Sequence, residues 1–90
     1  MKTIHKQILQ ITDLQSIHVP KGSEFLSVQL QNGNVCLWYR SDTEFNEQPL
    51  DFRHIAMTGT GQDCSHCDNM RFLGTIQLTG GSLVFHVFVE

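Results

Sequence analysis

FLSVQLQNGNVCLWYR, residues 25–40, alternates apolar and polar positions on both sides of Asn32-Gly33. Asn-Gly between two alternating runs signals a hairpin, because a type I′ turn needs positive φ at both central positions. A two-residue turn there sets Leu30 opposite Val35, Val28 opposite Leu37 and Leu26 opposite Tyr39, all on one face. The other face pairs Gln29 with Cys36, Ser27 with Trp38 and Phe25 with Arg40. Slipping the pairing by one residue would mix the two sets, so the pattern supports its own register.

The C-terminal stretch MRFLGTIQLTGGSLVFHVFVE, residues 70–90, follows the same logic around Gly80-Gly81. Leu78 then faces Leu83, Ile76 faces Phe85, Gly74 faces Val87 and Phe72 faces Val89, forming the buried side. The opposite side carries Leu73, Thr75, Gln77, Val84, His86 and Phe88, which is apolar for a solvent face. A second layer or a partner subunit is expected to cover it. Leu73, Val84, His86 and Phe88 therefore join Trp38 as candidate interface residues, and a homo-oligomer is expected.

Between and before the hairpins the signals are shorter. Residues 2–11 and 15–19 read as strands separated by a Thr12-Asp13 turn. Residues 20–23 read as a loop, and 41–49 as a polar loop or hairpin tip bearing Asp42, Glu44 and Glu47. Residues 50–57 read as a strand, and 58–69 as a glycine-bearing loop of a length that is usually functional or disordered. No segment sustains a helical period. The sum is six or seven short strands in one domain over residues 1–90, an all-β antiparallel sandwich or small barrel.

A chain of 90 residues buries only a thin core and gains from a subunit, a metal or disulfides. The formal net charge of −3 is the wrong sign for a duplex nucleic-acid footprint. A nucleotide stays open, since one or two arginines neutralise its phosphates. The first residues lack the apolar run and cleavage site of a signal peptide, and no stretch approaches a membrane span. A cytosolic protein is expected. Its three cysteines are then free thiols or metal ligands and not a disulfide framework.

Cys64 and Cys67 in DCSHCDN, residues 63–69, have the spacing with which two thiolates hold one zinc from a tight turn. Cys36, His5, His18, His54, His66 and His86 offer further ligands, but none at a second paired spacing. The alternative is a polar loop with free thiols. No cofactor is expected, zinc being the one candidate. Gly59, Thr60 and Gly61 follow a strand and resemble a phosphate-cradling turn, with backbone N–H groups and a hydroxyl as donors. The competing reading is a plain turn. Trp38 beside Arg40 makes an aromatic and guanidinium pair suited to a base and a phosphate, or else an interface anchor. Arg53 and His54 offer charge to a phosphate or an acidic partner, or form a solvated strand edge. His86 on an apolar face reads as a hydrogen-bonded histidine before it reads as a ligand. No G-x-S-x-G, H-E-x-x-H or paired-carboxylate pattern occurs, so no enzyme is expected.

Both ends of the chain, MKTIHK…ITD.Q.I..P.G…LSVQ.Q.G..CLW and FLGTIQLTGGSLVFHVF, resemble a family of small tailed-phage and prophage proteins that carry a domain of unknown function. The Gly59-Thr60-Gly61 turn belongs to the resembling pattern, and the DCSHCDN loop does not. The resemblance implies a phage source and a place in the cytoplasm of the infected host. Small phage proteins of this kind often block a host defence protein or sequester a nucleotide signal. The leading expectation is therefore a non-enzymatic anti-defence inhibitor that binds a host immune protein through the outer hairpin face and the acidic loop. Two alternatives stand beside it. One is an oligomeric sponge for a nucleotide second messenger, lined by Trp38, Arg40, Arg53 and the Gly59–Gly61 turn. The other is a zinc-stabilised structural or regulatory module.

Overall fold

The structure, a computed structural model, describes residues 1–42 and 49–90. Seven strands form among the described residues: β1 (Lys2–Leu9), β2 (Leu14–Pro20), β3 (Glu24–Gln31), β4 (Asn34–Asp42), β5 (Leu50–Gly59), β6 (Arg71–Leu78) and β7 (Leu83–Val89). They make two antiparallel sheets, of order β1-β4-β3 and β2-β5-β7-β6, packed face to face as a small sandwich.

Both tight turns form where expected. Asn32 and Gly33 take φ of 52° and 80°, and Gly80 and Gly81 take 64° and 95°. Pairing of β3 with β4 follows the expected register from Leu30↔Val35 to Ser27↔Trp38. A bulge then intervenes, and Phe25 faces Tyr39 while Glu24 faces Arg40. The expected pairs of Leu26 with Tyr39 and Phe25 with Arg40 are thus corrected. An extra residue on one strand turns every side chain beyond it. Here it turns Phe25 into the core and leaves Leu26 39% exposed.

The C-terminal hairpin repeats this behaviour. Its register holds from Leu78↔Leu83 to Gly74↔Val87, and a bulge at Leu73 then sets Phe72 opposite Phe88 and Arg71 opposite Val89. Leu73 packs against the core and leaves the outer face, where sequence reasoning had put it. Phe72 takes that outer place and meets Phe88 edge-on at 5.5 Å.

Leu9, Phe25, Val28, Val35 and Leu37 of the three-stranded sheet pack on Ile17, Val19, Ile55, Met57, Ile76, Val87 and Val89 of the four-stranded sheet. The sheets approach most closely where β3 passes β6. A Cβ placed on Gly74 would lie 2.9 Å from Val28 Cγ1, so any larger residue there has to displace Val28. Arg71 Nη2 donates to the Phe25 carbonyl across the same seam, at 3.4 Å.

β5 and β6 both pair antiparallel with β7, so they run parallel, and residues 60–70 must travel the length of the sheet to join them. Residues 58 and 59, read from sequence as the start of this loop, still belong to β5. The crossover lies over the outer face, where Ala56 and Thr58 are buried and Thr58 Oγ1 donates to the Asp63 carbonyl at 3.1 Å.

Candidate functional site

The outer face of the three-stranded sheet is built by the register of β4 with its two neighbours. Trp38 stands between Lys6 and Ser27, Cys36 between Ile8 and Gln29, and Arg40 between Ile4 and Glu24. Ile4 and Ile8 therefore flank Trp38 diagonally, and they are 63% and 51% exposed. Lys6 Nζ sits 5.7 Å from the Trp38 ring centroid and donates to Gln31 Oε1 at 2.8 Å. Its stem thus reaches across the row of Cys36, which is fully buried although it faces outward. Arg40 Nη2 bonds both oxygens of Glu24, at 2.9 and 3.1 Å. An anion arriving at Arg40 would have to compete with that carboxylate.

Arg53 faces inward at one end of the sandwich. Its guanidinium lies 4.4 Å from the Phe25 ring centroid and donates to the carbonyls of Ser23 (3.2 Å) and Glu90 (2.5 Å). His54 Nδ1 meets Glu90 Oε2 at 2.9 Å, and this hydrogen bond is the main cause that holds the Glu90 carboxyl below its ordinary pKa.

The Gly59–Gly61 turn lies at the far end of β5, about 20 Å from Arg53 at the rise of an antiparallel strand. Two of its donor groups are already engaged. Gly59 N–H donates to Gln62 Oε1 at 3.1 Å, and Thr60 Oγ1 bonds His86 Nε2 at 2.8 Å. The other ring nitrogen of His86 bonds Thr75 Oγ1 at 3.0 Å. Beside the turn is an open depression of about 230 Å³, lined by Gln62, Ser82, Leu83 and Phe85 among others, with no charged side chain.

One chain thus does not bring Trp38, Arg40, Arg53 and the Gly59–Gly61 turn together. The first two lie on the outer face of one sheet, and the others at opposite ends of a strand in the second sheet.

The DCSHCDN stretch is the part of the crossover that packs on β5. Asp63 Oδ1 accepts from the Ser65 amide (3.1 Å) and hydroxyl (2.5 Å), and the hydroxyl bond is the largest cause lowering the Asp63 pKa. His66 Nε2 donates to the Met57 carbonyl at 2.9 Å, which fixes the ring tautomer. A single 3-10 turn, Ser65–Cys67, buries Cys67 and leaves Cys64 exposed. Burial, and then the neighbouring Cys64, raise the Cys67 thiol above its usual pKa. Among the described residues no three His, Cys, Asp or Glu side chains gather where they could hold a metal ion. The segment packs on β5, beside the buried Ala56 and Thr58 on the outer face of the four-stranded sheet. Val84, His86 and Phe88 lie half-buried on that face.

A family model spans the whole chain, residues 1–90. The chain belongs to the family Domain of unknown function (DUF7352). No curated protein and no solved structure matched it. Membership in DUF7352 names no activity, so the residues themselves carry the functional reading. Sequence reasoning had not picked out Ile4 and Ile8. Their signal is two isoleucines four apart in one strand, on one face with Lys6 between them. It gains meaning only once β1 is known to lie beside Trp38 on β4. Glu44 and Glu47 of the expected acidic loop lie outside the described residues, and Asp42 receives the N-terminal ammonium at 3.2 Å.

Proposed function

We propose that this DUF7352 domain is a non-enzymatic binding protein of phage or prophage origin that inhibits a host defence protein by occupying its surface. The observation that carries the reading is the outer face of the three-stranded sheet. Ile4 and Ile8 stand exposed around a half-buried tryptophan with a lysine over its ring. Apolar groups around an aromatic anchor with a polar rim are the composition of protein-binding patches. The resemblance of the chain ends to phage proteins supplies the biological setting.

The nucleotide-sponge reading draws less support. The Gly59 amide and the Thr60 hydroxyl are bonded to Gln62 and His86, Arg53 is spent on backbone carbonyls, and Arg40 is paired with Glu24. The zinc reading lacks a third ligand among the described residues.

The test is a plaque assay on hosts carrying individual defence systems, with the chain expressed from a plasmid. Expression is expected to restore plating on at least one defended host, and Trp38→Ala is expected to abolish the rescue while leaving the protein folded. Unchanged plating on every defended host would sink the inhibitor reading. Rescue that survives Trp38→Ala, with melting shifted by cyclic nucleotides, would move the assignment to the sponge.

A further inference from the structure

Among the described residues the two sheets present four edge strands, and they are not equally protected. β3 and β6 shield each other along the seam where Gly74 meets Val28. β2 ends in Pro20, which has no N–H to offer. β1 is different. It pairs with β4 through eight consecutive residues, Lys2 to Leu9, with no bulge and no proline, and among the described residues no strand pairs with its other edge. Such an edge is a row of backbone donors and acceptors set for another strand.

Lysines commonly guard such edges. Here Lys6 is drawn away from the edge, over Trp38 and on to Gln31 of β3. What remains at the edge on either side of it are the exposed side chains of Ile4 and Ile8. The sequence of β1 is also close to self-complementary about Lys6. Reversing the strand on itself sets Ile4 opposite Ile8 of a second copy and His5 opposite Gln7, while the two Lys6 residues meet at the axis with their ammonium groups drawn off over Trp38 towards Gln31. A two-fold interface requires that kind of reciprocity.

We propose that β1 pairs antiparallel with β1 of a second copy about a two-fold axis at Lys6. The two three-stranded sheets become one six-stranded sheet, β3-β4-β1-β1-β4-β3. Its outer face carries both copies of Ile4, Ile8 and Trp38 side by side. This dimer stands independently of the host-protein reading, since it is measured on the purified chain alone.

The full chain is measured by native mass spectrometry and by light scattering across a concentration series. Twice the 10.3 kDa chain mass is expected. Ile4→Lys with Ile8→Lys places like charges opposite each other and is expected to weaken the dimer by about tenfold or more. Ile4→Glu with Ile8→Lys places opposite charges across the two-fold and is expected to keep the dimer. Circular dichroism confirms that both variants fold, as the exposure of the two positions implies. A monomeric wild type overturns the proposal. So does a dimer indifferent to the double lysine variant, or a Glu/Lys variant that falls apart as readily as the Lys/Lys one.

Discussion

A methyl group on Gly74 would meet Val28 Cγ1 at 2.9 Å, closer than carbon atoms settle without something moving. Both residues face the interior, Val28 is 6% exposed, and two strands from different sheets hold the backbones in place. Gly74→Ala is therefore an overpacking change. It is expected to cost about 1–3 kcal/mol, the usual range for inserting a methyl into a packed core. For a domain of this size each kcal/mol lowers the melting temperature by roughly 4–8 °C. Val28→Ala alone should also destabilise, by leaving a void. The double variant should cost clearly less than the sum, because each change relieves the other. Thermal melts of the three variants check this, and strict additivity would place the strain elsewhere than at this contact.

The crossover of residues 60–70 has one 3-10 turn, Ser65–Cys67, as its regular structure and is held by side-chain as well as backbone bonds. Asp63 organises it as a carboxylate that accepts two bonds from Ser65. Since these hold its pKa below the ordinary value, the ionised form is favoured by folding. Its contribution to stability is present at neutral pH and is lost as pH falls through the depressed pKa, below about 4, where an ordinary aspartate titrates. Glu90, bonded by His54, adds a contribution of the same sign. Ser65→Ala is expected to melt below wild type at pH 7, with the gap narrowing as the solution is acidified. A gap constant from pH 7 to pH 3 would mean that charge at Asp63 plays no part. Elements differed in how plainly the sequence announced them. The two tight turns were legible because Asn-Gly and Gly-Gly meet a backbone demand, positive φ, that few residues meet. The bulges at Leu26 and Leu73 were not. Alternation does not reveal where a strand gains a residue, and the packing that draws Phe25 and Leu73 inward comes from strands distant in sequence.

At the scale of the molecule, local patterns told the fold class and the number of strands but not their order. β1 and β2 are consecutive and joined by a short turn, yet they pair with β4 and β5 in different sheets. That choice rests on which faces can be buried together. The candidate site suffered for the same reason: Arg53 and the Gly59–Gly61 turn share a strand but face opposite ends of the sandwich. Arg53 instead joins parts of the molecule that are far apart in sequence. It lies on β5, stacks on Phe25 of β3, and bonds the carbonyls of Ser23 and Glu90. The planar fork of donors makes this possible, and a lysine ammonium does not reproduce it. Arg53→Lys keeps the charge but loses the stacking and the paired bonds to the Glu90 carbonyl. Its expected cost is about 1–2 kcal/mol, set by a few hydrogen bonds from a charged group and a partly solvated ring contact. Urea titration should show a lower midpoint with an unchanged slope, because the same surface is exposed on unfolding. A midpoint equal to that of wild type would mean that water replaces the guanidinium contacts without loss. A reduced slope would mean instead that this end of the sandwich has already opened in the folded state.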